Sequence, residues 1–130
     1  MKKVPELLLR VGLAGLGVFA LATSLTLIFV GPTAIPGSTP VNSTVDNELR
    51  FYAVFWSFYG AAALWCLKDM RSKGQAVRLL ALILFVCGLA RTMSAFAVGL
   101  PHPLFVGATV LEYFLPPLFV FLQRRIEHPT

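Results

Sequence analysis

Residues 77–122 read VRLLALILFVCGLARTMSAFAVGLPHPLFVGATVLEYFLPPLFVFL, two apolar runs joined by the turn Gly99-Leu100-Pro101-His102-Pro103. Roughly 20 consecutive apolar residues are enough for a helix to cross a bilayer, so each run reads as one membrane crossing. Arg78 stands at the edge of the first run, whereas Arg91 and Glu112 lie well inside the two runs. Counted from the centre of the turn, Arg91 is about ten residues back and Glu112 about ten residues forward, roughly 15 Å along each helix. Two antiparallel helices therefore bring them to one depth. An ionised side chain in hydrocarbon is costly unless it is paired or hydrated, so opposite charges at matched depth read as an interior contact.

The rest of the chain continues the pattern. Residues 11–30 and 51–67 form two further apolar runs, the latter short of a full span without its flanks. With 57% hydrophobic residues, 13% charged residues and a mean hydropathy of +0.77, the composition excludes an ordinary soluble domain of 130 residues. The expected fold is all-α, a transmembrane up-down four-helix bundle forming one domain over residues 1–130, with helices at about 8–30, 47–67, 75–99 and 103–123. No room is left for a soluble catalytic domain. The first run is read as a retained helix, not as a signal peptide, because it continues through residues 23–30 past the small-residue stretch at Ala20-Leu21-Ala22. Glu6 and Arg10 also interrupt the basic leader.

Charge sets an expected orientation. Lys2, Lys3, Arg10, Lys68, Arg71, Lys73, Arg78, Arg124 and Arg125 fall at the termini or in the second connection, and Arg50 alone lies on the other side. By the positive-inside rule the N- and C-termini are cytoplasmic, and residues 31–50 and the Pro101 turn face outward. The implied location is a cell membrane that the chain crosses several times. The net charge of +5 is thus explained by topology and anionic headgroups; the basic residues do not interleave with aromatics as a nucleic-acid-binding face would require.

Cys66 and Cys87 fall at depths differing by roughly 12 to 15 Å, too far apart for a disulfide. His102 and His128 fall on opposite sides of the membrane, so no metal site is expected, and no cofactor either. Residues 31–45, with Pro32, Pro36 and Pro40, read as an extended polar connection able to serve as a lid or a linker. Asn42-Ser43-Thr44 matches a glycosylation acceptor tripeptide, a pattern common by chance. Asp46 or Asn47 is expected to cap the second helix. Arg50, a cation in its first turn, either meets an anion (Glu48, a lipid phosphate, or Glu112 reached from the rim) or is an interfacial arginine snorkelling beside the aromatic anchors Phe51 and Tyr52.

These stretches together resemble a widespread bacterial family of small four-helix membrane proteins, a domain of unknown function. The features that carry the likeness are Asn47-Glu48-Leu49-Arg50-Phe51-Tyr52 opening the second helix, Leu89-Ala90-Arg91 with Ser94 in the third, Pro101-His102-Pro103 in the turn, and Leu111-Glu112 before Pro116-Pro117 in the fourth. The resemblance runs from about residue 8 to 122 and implies the architecture but no reaction or ligand. It draws attention to Asn47, Arg50, Arg91, Pro101 and Glu112, while Ala53 and Ser57 stand where the pattern leads one to expect glycine.

The residues point to the same region independently. Pro116 and Pro117 have no N–H for the carbonyls of Glu112 and Tyr113, so the fourth helix should kink there and free two acceptors. Ser94, Tyr59, Thr23 and Ser24 reach a comparable depth on the other helices. The candidate pocket therefore comprises Arg91, Glu112, Arg50, Asn47, Tyr59, Ser94 and His102. Small residues at Ala81, Gly88 and Ala95 and at Ala14, Gly17 and Ser24 mark close helix contacts, within the bundle or with a second copy. The leading expectation is a non-enzymatic binder of a small ligand or lipid, or an accessory subunit, with an outward-facing intramembrane pocket. Proton-coupled transport or relay through Glu112 is the first alternative, and a quinone-linked oxidoreductase component, by analogy of architecture alone, the second. The bland reading of Arg91 and Glu112 is a structural bridge. Expected partners are membrane lipids, a small-molecule or lipid ligand, and a second copy or another membrane subunit, with nucleic acid excluded.

Overall fold

The computed structural model describes residues 3–127. Lys2, counted with the basic termini, and His128, weighed as a metal ligand, lie outside the described residues. The chain forms α1 (Lys3–Phe29), a short 3-10 turn (Pro32–Ala34), α2 (Ser43–Cys66), α3 (Gly74–Val98) and α4 (Pro103–Glu127), with no strand among the described residues. The all-α four-helix architecture is as expected. Helices α1, α3 and α4 are each long and apolar enough to cross a membrane. Helix α2 is not among these three, since Asp46, Glu48 and Arg50 occupy its first two turns. It nevertheless lies antiparallel beside α1 over nearly the whole length of that helix, from Arg50 at the Ile28 carbonyl to the Leu67 carbonyl near Arg10 at 3.4 Å.

Three helix ends differ from expectation by four or five residues: α1 begins at Lys3 and not at about residue 8, and the start of α2 and the end of α4 shift for local reasons. Helix α2 begins at Ser43, capped by Asn42, whose side chain accepts the Val45 N–H at 3.0 Å, and not by Asp46 or Asn47. Asn42 belongs to the glycosylation-like tripeptide, so a capping role accounts for that asparagine. Asp46 is then free to sit in the first turn, where the helix dipole favours a carboxylate. Helix α4 extends to Glu127 because Arg124 and Arg125 suit its last turn and because Glu127 is held by Arg78 of α3 at 2.9 Å. The helix assignment runs unbroken through Pro116 and Pro117.

The helices pack as two antiparallel hairpins, α1 with α2 and α3 with α4. Within the first hairpin the backbones nearly touch: a Cβ at Gly60 would lie 2.8 Å from the Gly17 carbonyl oxygen, and one at Gly17 would lie 2.7 Å from Leu64. Glycine in both positions permits this approach, as close packing in lipid requires. Ser57 adds a hydrogen bond to Ser24 at 2.8 Å, so serine at that position joins the helices without preventing contact.

The hairpins are tied together at the basic end of the molecule. Leu9, Leu13, Val77, Leu84, Phe119 and Leu122 are buried there. Gln123 donates to the Met70 carbonyl at 2.7 Å, and Tyr59 donates from α2 to the Leu80 carbonyl of α3 at 2.8 Å. Toward the Pro101 end the hairpins separate: among the described residues, α3 buries none beyond Gly88 and α4 none before Glu112. Phe96, Val98 and Leu100 are 89%, 83% and 82% exposed, an exterior that hydrocarbon, not water, would solvate. Cys66 is buried and Cys87 half-buried, both as free thiols.

Candidate functional site

Arg91 and Glu112 meet as their depths require. Arg91 Nε donates to Glu112 Oε1 at 2.9 Å. Glu112 is buried, at 7% exposure, whereas the Arg91 side chain is 41% exposed, so the pair has a buried and an open member. Gly88 makes the burial possible, because a Cβ there would come within 3.2 Å of the Glu112 Cβ. Thr92 sits one residue beyond Arg91 and shares a 2.7 Å hydrogen bond with the Tyr113 hydroxyl, closing a second α3–α4 link beside the ion pair. The second Glu112 oxygen, Oε2, is buried without a hydrogen-bond donor among the described residues.

Where the hairpins part, they enclose a cavity of about 690 Å³. Its walls are mainly apolar, from Phe19 and Leu27 of α1, Trp56 of α2, and Leu104 and Phe105 of α4, with Thr23, Thr26, Ser94 and Arg91 supplying the polar atoms. Residues 34–36 and Pro101 also line it, at its mouth. Arg91 lies 5.4 Å from the centre of the Phe105 ring, a cation–π contact that helps hold the guanidinium in place. Trp56 Nε1 donates to Thr23 Oγ1 at 3.1 Å, fixing the indole as a wall between α1 and α2. Arg91 also borders a smaller cleft of about 350 Å³ between α3 and α4, so it stands between two apolar spaces. A volume of this size with few polar groups is that of a small-molecule site.

The other sequence-derived candidates divide. Ser94 is among the residues that line the cavity. Glu112 is not part of the wall; it stands behind Arg91 and holds it. Tyr59 does not reach the cavity either, because its hydroxyl is committed to the Leu80 carbonyl nearer the basic end and its ring stacks on Trp56 at 4.9 Å. Asn47 is exposed on α2 away from the lining. Arg50 does not reach Glu112: its Nε bonds both oxygens of Asp46 at 3.1 Å and its Nη1 donates to the Ile28 carbonyl. It packs on Gly31, where a Cβ would meet the guanidinium at 2.5 Å and where φ is +97°. His102 is exposed, accepts the Leu104 N–H at 3.2 Å, and abuts Gly37, whose φ is +78°. Arg50 and His102 therefore brace the two ends of the segment over the cavity mouth and do not line it. The polar connection borders the cavity between two positions, Gly31 and Gly37, where glycine alone adopts the backbone easily.

Phe105, Trp56 and Thr26 are site residues that sequence reasoning missed. Only the depth of Thr26 on the Thr23 face of α1 carried a signal; the aromatics were indistinguishable from lipid-facing ones.

Against known families, residues 8–123 match a domain of unknown function, DUF4345. The chain belongs to that family. No curated protein and no solved structure matches it. In this DUF4345 chain the matched span takes in Arg91, Glu112 and every cavity-lining residue.

Proposed function

We propose that this protein is a multi-pass protein of the bacterial inner membrane, with both termini cytoplasmic, that binds a small amphiphile without transforming it, alone or as an accessory subunit. One observation supports this reading above the others. Arg91 lines the cavity yet spends only its Nε on Glu112, and neither terminal nitrogen has an acceptor among the described residues. A guanidinium offering its remaining N–H groups beside apolar walls suits a ligand with a carboxylate, phosphate or similar acceptor head and an apolar body. Glu112 orients the guanidinium, and the segment at residues 34–36 covers the ligand.

The test is extraction and mass spectrometry of whatever copurifies with the intact chain. An amphiphile should be present in the wild type and fall about tenfold, the equivalent of one lost charge-assisted contact, in the Arg91→Met with Glu112→Leu variant. That variant should still fold, since apolar replacement of a buried pair is often neutral. Retention of the molecule by the folded double variant would leave the pair as a structural bridge. Recovery of an isoprenoid quinone would instead support the oxidoreductase alternative. A second reading, proton-coupled relay, draws on the undonated Glu112 Oε2. It requires a pH-driven flux in proteoliposomes that Glu112→Gln abolishes.

A further inference from the structure

The Arg91 cavity is not the only apolar recess with arginine at its edge. On the outer face of the α3–α4 hairpin, at the basic end, lies a groove of about 430 Å³. Its floor includes Ala81 and Pro116, and Phe85 and Phe121 stand along it. Pro117 and Leu82 border it as well, both exposed, so the groove opens to whatever surrounds the bundle. Arg78 and Arg124 line the same recess. From Arg78 to Phe85 the groove follows α3 for about 10 Å.

The two arginines are not equivalent. Arg78 is neutralised by Glu127, at 2.9 Å and 3.1 Å to its two oxygens. Arg124 is exposed and forms no ion pair among the described residues, and Arg125 beside it is stacked on Phe121 at 5.2 Å. The rim thus carries a net positive charge with an uncommitted guanidinium, directly over an apolar channel. We propose that this groove is a binding site for one anionic phospholipid, its phosphate on Arg124 and one acyl chain along Ala81 and Pro116 toward Phe85. An arginine fork matches phosphate geometry, and clustered basic residues at a helix end favour anionic over zwitterionic headgroups. The two prolines border the channel, their compact rings standing where longer side chains on α4 would fill it. The occupant must already reside in the bilayer, since the groove opens on an apolar exterior. This site is separate from the Arg91 cavity, shares no lining residue with it, and does not depend on what that cavity holds.

Native mass spectrometry of the full chain in nonionic detergent, with dioleoyl phosphatidylglycerol or dioleoyl phosphatidylcholine added, tests the proposal. The phosphatidylglycerol adduct should exceed the phosphatidylcholine adduct by about fivefold, and Arg124→Gln should bring the two near equality. Leu82→Trp, which places an indole across the groove without changing charge, should lower retention of both lipids by a similar factor. Both residues are exposed, so both variants keep the packing of the bundle. The proposal is overturned if Arg124→Gln keeps the wild-type preference. It is also overturned if Leu82→Trp binds as the wild type does, which would reduce the effect to surface charge. A lipid-free dimer that Leu82→Trp dissociates would give the groove to a second copy instead.

Discussion

At the scale of single residues, the ion pair between Arg91 and Glu112 is lopsided, and that makes its two halves unequal under mutation. Removing Arg91 strands Glu112, already 7% exposed, with neither oxygen satisfied. Removing Glu112 leaves an arginine whose side chain is 41% exposed to a cavity and can take water or ligand. Arg91→Ala is therefore expected to cost about 3 kcal/mol, near the usual penalty for breaking a buried pair, and Glu112→Ala about 1 kcal/mol. Thermal or denaturant unfolding in detergent micelles measures both. A coupling energy near zero in the double-mutant cycle would refute the pairing, and equal costs would refute the asymmetry. The depth of each charge was legible from counting residues back and forth from Pro101. Which of the two faces the cavity was not, because that depends on the rotation of α3 and α4 about their axes.

At the scale of elements, α1 and α2 approach closely through two glycines that the sequence does not distinguish from the other small residues. Gly17 was visible in a small-residue stripe; its partner Gly60 was not, since pairing requires the register of α1 against α2. A methyl group at Gly60 would meet the Gly17 carbonyl at 2.8 Å and Ala20 at 3.0 Å, and a backbone carbonyl in a helix cannot move aside alone. Gly60→Ala is accordingly expected to destabilise the fold by roughly 1–3 kcal/mol through overpacking. By contrast, Gly15→Ala, where no atom beyond the helix's own local backbone lies within 4 Å of the added carbon, should be neutral or gain up to about 1 kcal/mol from helix propensity. Comparing the two melting curves isolates hairpin contact from propensity. The register also sets the place of α2: although its start is too polar for it to count with α1, α3 and α4 by hydropathy, it lies alongside α1 over nearly the length of that helix.

At the scale of the whole molecule, basic residues concentrate at the end where the hairpins are bound together, and the cavity opens at the end that is nearly free of them. The orientation proposed from the positive-inside rule has the closed end in the cytoplasm. A reporter fused after Thr130 should behave as cytoplasmic, and a cysteine introduced at Ser38, in the connection between α1 and α2, should react with a membrane-impermeant thiol reagent added from outside. Labelling of the C-terminal end from outside would invert the molecule and turn the cavity toward the cytoplasm.

Hydropathy, chain length and the fixed rise of an α-helix are one-dimensional quantities, and what they govern was settled by the sequence alone. That includes the number of helices, the turn that reverses α3 into α4, and the common depth of Arg91 and Glu112. Helix rotation, register and splay arise only when side chains from distant segments compete for one volume. The tertiary structure therefore decided that Arg50 answers Asp46 and the Ile28 carbonyl, not Glu112, and that Tyr59 braces α3 near the basic end. It likewise decided that Glu112 lies behind Arg91 and that the hairpins part above Gly88 to enclose a cavity, because burying bulky Phe119 and Leu122 at one end holds the helices together there and leaves no comparable filling at the other.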